Sequence, residues 1–288
     1  MADTTMPRRI LGRQLLLLRG KRSRSSVSKK LKIGESTLWR YESGVTIDVK
    51  PYIIRELCRY YEASQDMTDT LLDLAEAASK PSWWYAYDAA MPGDFEIFIE
   101  LEQSASHIRS FQLAQVPGLV QTAAYRRATT LAATPDPAPE RVDQIVELAM
   151  KRQARLDESE NFRLDIVLDE SVLRRTEIGG PDVMREQLEH LIAVSERPNV
   201  SIRVVPLTRG YLGLETGRFV LLEFPPQRLE WMNMPPMVYV EQFGADVLLG
   251  KDAEVREYRR AWAAIQKAAH DEDQSIALIL HIAKELQQ

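Results

Sequence analysis

The stretch from Ser23 to Gly44, SRSSVSKKLKIGESTLWRYESG, constrains the fold of this 288-residue chain more than any other. Ser23 is a hydroxyl N-cap ahead of a run in which Val27 and Leu31 fall four apart, on one face of a helix. Ile33-Gly34 interrupts that face, and the glycine is expected to take the backbone angles of a sharp turn. A second short helix then starts at Glu35, with Leu38 and Tyr41 pointing inward. Glu35, Ser36, Trp39 and Arg40 share its opposite side, and Gly44 stops it as a C-terminal glycine. Two short helices with narrow apolar stripes and a tight turn between them form the helix-turn-helix pattern.

The charge agrees with a phosphate-binding surface. Between Arg8 and Arg40 stand eleven basic residues and one acidic residue, Glu35, whereas the whole chain carries a net −5. Basic charge is therefore concentrated here, the electrostatic footprint of nucleic-acid binding. Residues 1–80 hold 15 Lys and Arg against 10 Asp and Glu, so the remainder is acidic by 10 charges. A basic N-terminal module (1–80) joined to an acidic body (81–288) is the expected domain organisation. No apolar run approaches the roughly 20 residues of a membrane span, and MADTTMPRR is not followed by a signal-peptide core. The expected setting is cytoplasmic.

Around the central pair, Ile10, Leu11, Leu15 and Leu18 predict a first helix over Arg8–Arg19. Pro51 opens a fourth through Ile53, Ile54, Leu57 and Tyr61, and Met67–Ala78 forms a fifth. Lys80-Pro81-Ser82 marks the boundary, followed by Trp83-Trp84-Tyr85. Those aromatics read either as a hydrophobic plug between domains or as one wall of a ligand pocket or partner groove. Beyond them the pattern predicts helices over Asp94–Ser110, Gln121–Ala132 and Glu140–Glu158, with Pro135, Pro137 and Pro139 as a stiff linker. Alternation predicts strands at Phe162–Leu168 and Val200–Val204, then at Phe219–Phe224 and Met237–Val240. A helix through Val183, Leu188 and Ile192 separates the first two, and two helices, Asp252–Ala269 and Asp273–Gln287, close the chain. The expected fold is α+β overall: an all-α five-helix domain, then a small mixed or antiparallel sheet flanked by helices.

IGESTLWRYESG resembles the recognition-helix signature of the lambda-repressor-like (XRE) regulators. It departs from that pattern with Gly34 in place of a hydroxyl cap, Glu35 in place of Gln and Trp39 in place of a small polar residue. The resemblance implies that Glu35, Ser36 and Arg40 reach base edges, with Thr37 and Trp39 near backbone or thymine methyls. Arg24 opens the supporting helix, where the family contacts phosphate, and Lys29 lies on the same basic helix. Arg40 suits guanine O6 and N7 or else a phosphate; Glu35 suits cytosine N4 or else the helix dipole. Glu42 is expected to hold an arginine of the first helix, Arg19 or Arg13.

A second resemblance covers most of the rest. WWY at 83–85, VPGLVQTAAYRRA at 116–128, KRQARL at 151–156, VLDESVLRRTEIGGPDVMREQLEHL at 167–191, VSIRVVPL at 200–207 and VYVEQF at 238–243 are similar to the C-terminal domain of actinobacterial antitoxin-like transcriptional regulators. It implies a transcription factor, dimeric on an inverted repeat of double-stranded DNA, often with a small partner protein encoded nearby. The alternative it leaves open is a module whose main task is sequestering that partner, with DNA binding as autoregulation.

An enzyme is the rival class. His107, His190, His270 and His281 show no metal-ligand spacing, and there is no Walker A loop, G-x-S-x-G elbow or Rossmann glycine pattern. Cys58, the one cysteine, reads as a buried inert thiol. Asp169, Glu170 and Glu241 could form a carboxylate pair for acid–base work, or cap and salt-bridge, Glu170 with Arg174. The expectation is no catalysis, no cofactor and no metal.

Overall fold

Five helices build the N-terminal part: α1 (Met6–Arg19), α2 (Arg24–Leu31), α3 (Glu35–Ser43), α4 (Pro51–Tyr60) and α5 (Gln65–Ala78). The computed structural model describes residues 6–44, 48–79, 82–91, 95–134, 136–158, 160–209, 216–227, 230–242 and 246–287. The boundary residues Lys80 and Pro81 lie outside these, as do Asp94 and Pro135. Starts are set by local chemistry. Ser23 Oγ accepts from Ser26 N at 3.1 Å, Ser64 Oγ accepts from Met67 N at 3.2 Å, and Pro51 stands in the first turn of α4.

The stripes of these helices meet in one core through Leu11, Leu15, Val27, Leu38, Ile54, Leu57 and Leu71, all 0–1% exposed. Gly12 lets α1 and α3 approach closely. A Cβ there would sit 2.7 Å from the carbonyl oxygens of both Tyr41 and Glu42. Trp231 and Met232, far along the chain, also pack against this core. The described residues within 1–88, 92–101 and 227–232 accordingly form one compact unit, and those within 89–91, 102–226 and 233–288 another.

The second unit is built on a six-stranded mixed sheet in the order β3-β2-β1-β4-β5-β6. Its strands are β1 (His107–Gln112), β2 (Arg163–Asp169), β3 (Val200–Val205), β4 (Phe219–Glu223), β5 (Met237–Val240) and β6 (Val247–Leu249). β1 runs parallel to β2 and antiparallel to β4, with Arg109 opposite Asp165 on one side and Leu221 on the other. The helix expected over Asp94–Ser110 therefore needs correction. α6 (Phe95–Ser104) ends early, and His107–Gln112 is a central strand whose His, Arg and Phe share one face. β6 has no counterpart among the expected strands.

The remaining helices are α7 (Ala123–Ala133), α8 (Pro139–Arg152), α9 (Glu170–Leu173), α10 (Pro181–Ser195), α11 (Asp252–Ala268) and α12 (Glu272–Glu285). Pro139 opens α8 rather than belonging to a linker, and α8 tightens into a 3-10 turn over Gln153–Asp157 instead of running on to Glu158. One sheet face, carrying Phe111, Val167, Phe219, Leu221, Val238 and Val240, packs on Val255, Trp262 and Ile265 of α11. Phe219 sits at the junction, with ring centroids 4.9 Å from Tyr258 and 6.1 Å from Phe111.

Candidate nucleic-acid interface

α2 and α3 form a supporting helix and a presented helix. Val27 is buried on α2, and Leu38, Tyr41 and Glu42 on α3. On α3 the opposite side is open: Glu35, Ser36 and Arg40 are exposed, Trp39 is 48% exposed, and Thr37 is half-buried. The turn between the helices differs from expectation. Its left-handed residue is Lys32, at φ 54°, whose N–H caps the Ser28 carbonyl, followed by Ile33 N donating to the same oxygen at 3.2 Å. Gly34, at φ −57°, is instead an N-cap with no side chain to offer. Glycine was the obvious candidate for a positive φ, but the helix-end geometry puts that demand two residues earlier, on a lysine.

Tyr41 anchors the exit from α3. Its hydroxyl donates to the Asp48 carbonyl at 3.1 Å and accepts from Lys50 N at 2.9 Å. Burial, above all, pushes its phenol up.

Glu42 is the electrostatic hub. Its side chain is 1% exposed; Arg19 Nε donates to Oε1 at 2.5 Å and Arg24 Nε to Oε2 at 2.6 Å. The carboxylate thus ties together α1, α2 and α3. Arg19 is the expected partner, while Arg13 is exposed. The pairing of Arg24 was not foreseen: Arg24 keeps the rest of its guanidinium, with 37% of the side chain exposed. Beside the hub, Tyr61 is pushed up to about 12 by burial and then by the charge of Glu42. Arg22 lies over the rings of Tyr60 and Tyr61 at 5.9 and 5.8 Å.

The basic surface is smaller than the count of eleven suggests. Arg8 is 1% exposed, donating from Nε to the Ala78 carbonyl at 2.7 Å and from Nη1 to the Tyr85 hydroxyl at 3.2 Å. Arg19 is occupied by Glu42. Arg13, Lys21, Arg22, Lys29, Lys30, Lys32 and Arg40 remain exposed. In the aromatic stretch Trp84 is 7% and Tyr87 4% exposed, the Tyr85 hydroxyl accepts from Arg8, and Trp83, 39% exposed, packs edge-on against Trp84 at 5.7 Å.

The carboxylates considered for catalysis have structural partners. Asp169 caps α9, accepting from Ser171 N at 2.9 Å. Glu170 holds Arg174 at 2.9 Å and accepts from Leu207 N at 3.0 Å, and the exposed Glu241 pairs with Arg218 at 3.4 Å. Cys58 is a free, buried thiol, pushed up by burial. Among the described residues no group of three His, Cys, Asp or Glu is placed to hold a metal ion.

Sequence reasoning missed one polar cluster because β1 was read as helix. His107 Nε2 meets Asp165 Oδ2 at 2.8 Å, Arg109 holds Glu223 at 2.8 Å, and Arg163 holds Asp165 at 2.9 Å, along a groove of about 610 Å³. Burial would raise Asp165, yet hydrogen bonds from His107 and Arg163 outweigh it and hold the carboxyl below its usual range.

Residues 10–71 match a helix-turn-helix domain, which agrees with the α2–α3 geometry and makes a DNA-binding regulator the class of this protein. Residues 95–281, more than half of the chain, match the domain of unknown function DUF5753. The chain belongs to that family. Neither the curated proteins nor the solved structures give a match. Among the described residues no helix is long and apolar enough to cross a membrane.

Proposed function

We propose that the chain is a transcriptional regulator that reads the DNA major groove with α3, as a homodimer on an inverted repeat, under the control of its C-terminal domain. The observation that carries this reading is the outer side of α3. Glu35, Ser36, Trp39 and Arg40 stand exposed on a helix whose other side is locked by Leu38, Tyr41 and Glu42. An exposed indole beside exposed hydrogen-bonding groups suits base edges and thymine methyls. Arg24, Lys29 and Thr37 supply phosphate or backbone contacts in this scheme, and half-sites lie about 10 base pairs apart or a multiple of that. Action in the cytoplasm follows from the DNA target. The related arrangement, an antitoxin-like module that sequesters a small partner protein, uses the same helix for autoregulation. It differs in requiring a stoichiometric small protein in the purified complex.

The test is a salt titration of Arg24→Ala and Arg40→Ala on operator and scrambled duplexes. Loss of Arg24 should weaken both duplexes and flatten the slope of log K against log salt by about one. Loss of Arg40 should cost about 1–3 kcal/mol on the operator and leave scrambled DNA nearly unchanged. Equal weakening on both duplexes by Arg40→Ala would make it a phosphate clamp and move base reading to Glu35, Ser36 and Trp39.

A further inference from the structure

Three stretches that carry the second resemblance meet in the sheet-bearing unit. Gln153, of KRQARL, donates from Nε2 to the carbonyls of Gln121 at 2.7 Å and Gly118 at 3.2 Å, both of VPGLVQTAAYRRA. Arg152 lies against Gly118, where a Cβ would fall 3.3 Å from its Nη1. Tyr239, of VYVEQF, sits within the field of Arg152 and donates to Asp246 Oδ2 at 2.6 Å. Arg152 itself is matched, gripping Glu102 through two bonds of 2.7 Å with both side chains 3–4% exposed.

Arg126, in the second turn of α7, is not matched in this way. Its Nε is closed off from solvent and has no hydrogen-bond partner. Burial, then the charge of Arg152, pulls this guanidinium down to about 10, an unfavourable setting for an arginine. The opposing charge felt there is Glu241, which is exposed and already paired with Arg218 at 3.4 Å. At the entrance of the same helix stands a second loose end. Gln121 is 1% exposed, its Nε2 bound to the Val116 carbonyl at 2.7 Å and its Oε1 without a partner. Arg126 as a whole is half-buried, so its charge is only partly withdrawn from water, and with the nearby opposite charge already paired an anionic ligand would supply the missing compensation.

We propose that Arg126, beside the Arg152–Glu102 pair, is the binding site for the carboxylate group of a ligand. Arg126, Arg152 and Glu102 leave a single net positive charge, which one monoanionic carboxylate balances and a doubly charged phosphate would overshoot. A planar guanidinium also accepts a carboxylate in matched geometry.

The experiment follows thermal unfolding of the full chain in sodium acetate against sodium chloride and sodium phosphate at equal ionic strength. Acetate should raise the wild-type midpoint saturably. Arg126→Met and Arg126→Gln should lose that rise, and without acetate should melt no lower than the wild type, because an uncompensated charge has been removed. Glu241→Gln should keep the rise. Small acids of increasing size, and a short peptide with a free or amidated C-terminus, then distinguish a free acid from a chain end. No wild-type rise with acetate, a rise retained in both Arg126 variants, or a rise with phosphate alone would overturn the assignment. So would equal melting losses in Arg126→Gln and Glu241→Gln, which would make the two residues a structural pair.

Discussion

Replacing Glu42 by Gln tests the logic of the helical unit most directly. The substitution keeps the size of the side chain and removes the one charge that Arg19 and Arg24 share. Removing one partner of a fully buried ion pair costs about 3–5 kcal/mol, whereas exposed pairs contribute about 0–1 kcal/mol. Glu42 is at the buried extreme at 1% exposed, Arg19 is nearly so at 14%, and Arg24 at 37% reaches water. The expected loss is therefore intermediate, about 2–3 kcal/mol. In a unit of this size each kcal/mol shifts the melting temperature by about 4–8 °C, so the unit should melt roughly 10–20 °C lower. Thermal unfolding, with hydrogen exchange read on peptides from α1 and α3, assigns the loss to the right unit. A control, Arg24→Met, should lose much less, since Arg19 still satisfies the carboxylate. If Glu42→Gln melted within about 2 °C of the parent, the hub would contribute nothing and the α1–α3 contact would rest on packing alone.

Lys32→Gly should stabilise the helical unit by about 1 kcal/mol, since a left-handed backbone strains any residue with a Cβ; a lower melting temperature would show that the lysine's own contacts outweigh the strain. Trp231→Ala should loosen the N-terminal unit by about 1–2 kcal/mol through lost apolar burial, seen as faster hydrogen exchange in the α1–α5 core. By the same reasoning a fragment ending at residue 80 should be less stable than the same helices in the full chain, because it also lacks Tyr85, the partner of Arg8. A fragment as protected as the full chain would remove both residues from the core.

Much of the helical unit was legible because its signals are local. Ser23 as a cap and Pro51 as a helix-opening residue are read from one or two neighbours, and the span Glu35–Ser43 follows from Leu38, Tyr41 and Gly44. The Ser64 cap that starts α5 before Met67 was not read. The strands at 163–169 and 200–205 were legible for the same reason, through alternation of apolar residues. β1 was not. HIRSFQ carries two charged or titratable residues, His107 and Arg109, that are stabilised by Asp165 and Glu223, and those partners lie 58 and 114 residues away. Its strand character exists only once β2 and β4 flank it. Trp231 was invisible as a core residue of the helical unit for the same reason, since its short stretch, 227–232, is separated in sequence from the rest of that unit, which ends at residue 101. At the candidate interface, the charge pattern announced the surface but not its losses. That Arg8 is buried and Arg19 is consumed by Glu42 depends on tertiary packing that a count of basic residues does not register.

The pairing of Arg24 with Glu42 also bears on how the surface would meet DNA. A free lysine such as Lys29 must give up rotamer freedom on touching a phosphate, at roughly 0.5–1.5 kcal/mol for a long side chain. Arg24 has already lost that freedom in the folded protein. Its Nε is fixed on a carboxylate that is itself fixed by Arg19, and the outer edge of the guanidinium remains available. The same carboxylate partly neutralises the arginine, which lowers its attraction for phosphate at a distance while sharpening its geometry at contact. Glu42 thus links folding to recognition in one side chain. Its loss should weaken binding to operator DNA even at temperatures where the unit is fully folded, because Arg24 would then be mobile and repelled by Arg19. An effect of Glu42→Gln on melting without any effect on affinity at low temperature would separate the two roles and leave Arg24 as a purely structural partner.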